Sequence, residues 1–142
     1  MNSLINSGLA GFLATAPMTL VIFGGRALRL LRTPPPQASW LLSHFGYGAS
    51  CGLLYPLLDP LLPRPLVLRG LAYGLAVWGV SYINLMPQLR LYPPVREDRL
   101  SRAAVMIAAH VVYGVALSAL EGQLVRRSSP SQYRHILAAV IV

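Results

Sequence analysis

Charge is what this sequence has least of. Only 11% of its 142 residues are charged, where soluble domains carry roughly a quarter. Lysine is absent altogether, and the acidic residues number four: Asp59, Glu97, Asp98 and Glu121. No Asp, Glu, Lys or Arg occurs from Met1 to Gly25, Thr33 to Leu58, Gly70 to Leu89 or Ala103 to Leu120. Each of these runs is long enough for a helix to cross the hydrocarbon of a bilayer. A water-soluble enzyme and a disordered tail are thereby excluded. The single Cys51 excludes an intramolecular disulfide and with it a disulfide-stapled secreted domain; inside the second uncharged run it suits small-residue packing. Gly-rich phosphate loops, a Gly-x-Ser-x-Gly elbow and paired catalytic carboxylates are also missing, so no catalytic residue is assigned.

What is present is apolar: 55% of the chain is hydrophobic and its mean hydropathy is +0.56. The net charge of +8 comes from arginine alone, placed at the ends of the apolar runs. Arginine there anchors spans to headgroups, so nucleic acid is not an expected partner, whereas membrane lipids, other membrane subunits or a second copy are.

The fold class that follows is all-α: a polytopic membrane protein with four transmembrane helices in a bundle, at about residues 8–25, 39–56, 66–87 and 103–125, and a tail at 126–142. Ala14-Thr15-Ala16 imitates a signal-peptide cleavage site, but no basic segment precedes it and the apolar run continues, so the first span reads as a retained helix. Asn6 and Ser7 suit its cap, and Pro17 would bend it and free the carbonyl of Leu13. Arg26, Arg29 and Arg32 follow at helical spacing before Pro34-Pro35-Pro36. Trp40 marks the interface of the second span, which ends at Tyr55-Pro56. A tight connection from Asp59 to Pro65 leads to the third span. After Tyr92-Pro93-Pro94, Glu97 and Asp98 suit the first turn of the fourth helix. The apolar end Ile136–Val142 is too short to span and would lie on the bilayer or a partner, and His135 reads as a surface residue.

A shift of 66 residues lays Gly8-Leu9-Ala10 on Gly74-Leu75-Ala76, Thr15 on Ser81, and His44-x-x-Tyr47-Gly48 on His110-x-x-Tyr113-Gly114. Two tandem helix-hairpin repeats, 1–62 and 66–127, are therefore expected, with the second and fourth helices parallel.

Counting about 1.5 Å per residue from the arginines, Thr19, His44, Asn84 and His110 lie roughly 8 to 12 Å deep, one polar residue per helix in a single layer. Such groups are costly in hydrocarbon unless paired, which turns the layer toward the bundle interior. The spacing agrees: His44, Tyr47, Gly48, Cys51, Gly52 and Tyr55 share one helix face, as do His110, Tyr113, Gly114, Leu117, Ser118 and Glu121. Gly48 with Gly52, Gly70 with Gly74, and Gly114 with Ser118 supply small residues four apart, the pattern of close helix packing.

Three readings of the layer stay open. Each imidazole is neutral, hydrogen-bonded to Tyr, Asn, Thr or a freed carbonyl, and holds the bundle together with no cofactor. Alternatively His44 and His110 are cofactor-binding: they ligate one tetrapyrrole metal, haem or chlorophyll-type, or each meets a separate pigment or quinone. Or the layer lines a proton or solute path with Pro17 and Glu121. A zinc site is poorly supplied, since no acid or second cysteine joins the layer. Glu121, near the opposite face, suits pairing with Arg126 or Arg127.

Gly70-Leu71-Ala72-Tyr73-Gly74, Pro87-x-x-x-Leu91-x-Pro93-Pro94, His110-x-Val112-Tyr113, and Glu121 with Arg126-Arg127 carry a likeness. Over Pro65 to Arg127 the chain resembles the YagU-like family of small bacterial inner-membrane proteins, whose biochemical function is not established. The resemblance implies a multi-pass helical protein of the bacterial inner membrane with a cytoplasmic basic tail, and it carries over no ligand or catalytic residue. The arginines, seven on the first and third loops against five on the second loop and tail, instead place the termini outside. Both orientations stay open. The expected function is a non-enzymatic structural or accessory subunit of a larger membrane complex. The alternatives are a haem- or pigment-binding subunit using His44 and His110, and a small transporter or channel.

Overall fold

The computed structural model describes residues 2–31, 37–85, 88 and 99–128, and those residues form helices and no strand. Helix α1 spans Asn2–Ala27, α2 Ala38–Leu58, α3 Leu66–Trp78 and α4 Leu100–Ser128. A 3-10 turn at Asp59–Leu61 follows α2, and a π-helical segment, Gly79–Leu85, continues α3. Among the described residues three stretches are long and apolar enough to cross a membrane: Leu4–Ala27, Leu66–Leu85 and Leu100–Leu124. Helix α2, at 21 residues, is about 31 Å long. Its serines, His44 and glycines lower its hydropathy, and it is not among the three.

The outer surface of the helices is hydrocarbon. Leu20 is 69% exposed, Leu42 80% and Leu57 69%, with Phe12, Leu53, Val80 and Ile83 also exposed. In water a surface of this kind drives association; in a bilayer it is the face that meets lipid. The buried residues include many small and aromatic ones, Ala10, Ala14, Thr15 and Ala109 beside Tyr55, Tyr73, Tyr82 and Tyr113, together with a few aliphatic ones such as Ile22 and Leu117. This distribution fits membrane helices, where close backbone approach and interhelical hydrogen bonds replace the hydrophobic drive.

Several boundaries differ from expectation, each for a local reason. Asn6 and Ser7 do not cap α1, which starts at Asn2; Ser7 is fully buried at a helix crossing. Helix α2 does not stop at Tyr55-Pro56 but runs to Leu58 with Pro56 inside its last turns. Helix α4 begins after Arg99, whose carbonyl accepts from the amides of Arg102 and Ala103. Its first turn holds no acidic residue, and Glu97 and Asp98 lie outside the described residues, as do Pro34-Pro35-Pro36, Pro87, Tyr92-Pro93-Pro94 and the tail from residue 129. The third span is not α-helical throughout. Beyond Trp78 it widens to i→i+5 bonding, and the Ser81 hydroxyl donates back to the carbonyl of Val77 at 2.6 Å.

Helix α1 packs on α2 and α4, and α4 packs on α3. The crossings are built on glycine. A Cβ on Gly11 would meet the Gly52 backbone at 2.7 Å, and the Thr15 side chain occupies the place a Gly48 Cβ would take. A Cβ on Gly74 would press on the His110 backbone, and one on Gly114 would lie 2.8 Å from the Gly74 Cα. The two hairpins cross at different heights: Gly48 meets Gly11 and Thr15, while Gly114, its counterpart in the 66-residue shift, meets Gly70 and Gly74.

Candidate functional site

Helix α2 has little direct backbone contact with α3 and α4; tyrosines bridge the space between them. Four hydroxyls form the bridges. Tyr47 and Ser81 share a hydrogen bond of 2.7 Å. Tyr113 donates to the Gly48 carbonyl at 2.7 Å, and Tyr73 donates to the Cys51 carbonyl. One turn further, Tyr55 donates to Ser118 at 3.0 Å, and Ser118 in turn donates to the carbonyl of Leu66. The rings of Tyr55 and Tyr73 meet edge to face at 4.9 Å, a favoured aromatic geometry. The faces of α2 and α4 expected to turn inward are buried along most of their length: Gly48, Cys51, Gly52 and Tyr55 on α2, and His110, Tyr113, Gly114, Leu117 and Ser118 on α4.

The polar layer is brought together only in part. His44 and His110 are close enough for their charges to interact. His110 is buried, and its Nδ1 is 2.7 Å from the carbonyl of Met106, one turn earlier. A carbonyl accepts only, so Nδ1 carries the proton and Nε2 is left with its lone pair. His44 stacks on Trp40 with ring centroids 4.6 Å apart. Its Nε2 is shielded from solvent and has no hydrogen-bond partner. Thr19 is buried but satisfied within its own helix, donating to Thr15 at 2.7 Å; Thr15 likewise donates to Gly11. Asn84 does not join the layer. The π-helical segment turns Ser81 and Tyr82 inward and leaves Asn84 exposed, where its Oδ1 accepts from Gln88.

At the opposite edge Arg69, in the first turn of α3, holds the tight connection together. Its guanidinium lies 3.0 Å from Asp59 and donates to the carbonyls of Pro63 and Arg64. Glu121 is half-buried within electrostatic reach of Asp59 and Arg69; the side chains of Arg126 and Arg127, its expected partners, lie outside the described residues. Among the described residues no three of His, Cys, Asp and Glu come together as a metal site.

Sequence reasoning missed the partner face on α1. Ser7, Gly11 and Thr15, four residues apart, form the small stripe that receives Gly48 and Gly52. The spacing was there to be read. Tyr73, whose hydroxyl reaches α2, had no such signal, because a tyrosine in an apolar run does not reveal its acceptor.

What these features define is an all-helical protein with three membrane-competent helices, closed inside by tyrosine hydroxyls. Compared with family models, curated proteins and solved structures, the chain matches none of them.

Proposed function

We propose that the chain is a four-span membrane protein, α2 crossing with the other three helices, and that it serves as a non-enzymatic structural or accessory subunit of a larger membrane assembly. One observation carries this reading: the tyrosine hydroxyls of the interior are committed to holding helices to one another. Tyr73 and Tyr113 donate to main-chain carbonyls of α2. A carbonyl has no proton to pass on. The line of hydroxyls from Tyr47 to Ser118 is therefore interrupted twice, which suits a lock between helices and not a proton wire. With the interior committed to packing, the apolar outer faces of α1, α2 and α3 are what remains to meet other subunits. The likeness of Pro65–Arg127 to the YagU-like family agrees with this reading and with a bacterial inner membrane as its location.

The test is purification of the tagged full-length protein from membranes of its own cells in a mild detergent. A stoichiometric membrane partner that survives a second purification step is the expected result. Recovery of a monomer or homo-oligomer alone would refute the accessory role.

A second reading is favoured by the histidine pair. His44 Nε2 is buried without a partner, and the proton on His110 Nδ1 leaves its Nε2 as a ligand atom, so the two could share a tetrapyrrole metal. Absorption spectroscopy of the purified complex decides: a Soret band abolished by both His44→Ala and His110→Ala supports shared ligation, and a colourless folded protein removes it.

A further inference from the structure

The end of α1 and the start of α4 meet at one edge of the bundle, where Ser101 donates to the Leu30 carbonyl at 3.1 Å. Just inside that edge lies an open groove of about 460 Å³, with Val21, Leu28 and Leu30 on one wall and Ala104, Val105 and Ala108 on the other. Its lining is almost wholly apolar. Two adjacent glycines make it. Gly25 lets α4 come close, since a Cβ there would stand 2.7 Å from Val105; Gly24, by contrast, has nothing within 4 Å.

Arginines flank the groove residues along the chain. Arg26 lies in the last turn of α1 and Arg29 sits between Leu28 and Leu30, both groove residues. Arg99 and Arg102, which have contacts of their own, add positive charge at the start of α4, whose first turn carries no acid. Arg29 also occupies an uncommon conformation. Leu30 N–H bonds to Gly25 O and Arg29 N–H to Arg26 O, a Schellman ending that places Arg29 in the left-handed region at φ 58°. Glycine fills that position without strain. A residue with a β-carbon there carries a local cost, set against a turn that buries Leu31 and gives the Gly25 carbonyl its donors.

We propose that the groove holds one acyl chain of an anionic phospholipid whose phosphate is bound by Arg26 and Arg29. The inference rests on the membrane reading of the chain. Along α1 the groove runs from Val21 to the helix end at Ala27, about 9 Å of helix rise, so an acyl chain lying in it would start near the arginines and descend toward the bilayer centre. A zwitterionic lipid would fill the groove equally well but would present its own cation to the arginines, which makes headgroup charge the discriminating property.

The experiment uses the full-length protein, purified in detergent with equimolar phosphatidylglycerol and phosphatidylcholine, with retained lipid read by native mass spectrometry. The wild type should keep phosphatidylglycerol in preference. Arg26→Gln and Arg29→Gln should each lower its retention roughly fivefold, and Gly24→Leu, which fills open space, should expel both lipids. Arg29→Gly should lose retention while its detergent melting temperature holds or rises, a combination that a purely structural role for Arg29 does not give. Equal retention of the two lipids by the wild type, or unchanged retention in Gly24→Leu, would overturn the site. Alkaline carbonate extraction separates this from the membrane reading: a chain that stays in the pellet without lipid preference refutes the lipid site alone, and one released to the supernatant refutes both.

Discussion

If glycine at the α3–α4 crossing is there because the backbones touch, then adding one carbon must push them apart. A Cβ on Gly114 would lie 2.7 Å from the Gly74 nitrogen and 2.8 Å from its Cα, several tenths of an ångström inside the 3.4 Å at which ordinary contact begins. Neither neighbour is a flexible side chain, so relief requires the helices to separate. Overpacking of this kind typically costs about 1–3 kcal/mol, while Gly→Ala in a helix gains about 0.5–1 kcal/mol. Separation would also stretch the bond from Ser118 to the Leu66 carbonyl, which joins α4 to α3 and is worth about 0.5–1.5 kcal/mol. Gly114→Ala should thus destabilise by about 0.5–4 kcal/mol net. Gly46 is the internal control: it is in α2, exposed, with nothing within 4 Å. Gly46→Ala should be neutral or stabilise by up to about 1 kcal/mol. Reversible unfolding in mixed micelles, titrated with a denaturing detergent and followed by circular dichroism or tyrosine fluorescence, measures both. Substitutions that shift stability by the same amount and sign would refute backbone contact at this crossing.

Three further outcomes are expected in the same assay. Leu117→Ala removes a fully buried side chain and should cost about 2–5 kcal/mol; a change under half the lower bound would mean that α4 turns a different face to the interior. Tyr55→Phe and Ser118→Ala, combined in a double-mutant cycle, should couple by about 0.5–1.5 kcal/mol, and additivity would show that their 3.0 Å contact does not hold α2 to α4. His44→Phe keeps the stacking on Trp40 but removes the shielded, unpartnered Nε2, so it should be neutral or stabilise by about 1–2 kcal/mol. A large loss of stability in that variant would show that His44 binds something.

Which faces turn inward was legible because a helix repeats every 3.6 residues and this chain spaces its small and polar residues accordingly. The stripe from Gly48 to Tyr55 and that from Gly114 to Ser118 could be assigned to the interior from spacing alone, and both are buried. Asn84 is the exception, because depth along a helix does not fix the direction in which a side chain faces. The π-helical widening after Trp78 changes the angular step between residues, and no periodicity rule anticipates where i→i+5 bonding sets in. Ser7 misled for another reason: serine serves equally as a cap and as a small contact residue, and only the position of α2 against it decides between them.

The sequence by itself determined how long and how apolar the helices are: its charge-free runs, with arginines at their ends, give three helices among the described residues that are able to cross a bilayer. It also determined which residues are small enough for helices to touch. Tertiary structure decided which helices touch and what the tyrosines do, since a hydroxyl bonds whichever carbonyl the packing brings within 3 Å of it, and that carbonyl lies 22 residues away for Tyr73 and 65 for Tyr113. Only the fold, likewise, brings the end of α1 beside the start of α4 and leaves an apolar groove between them.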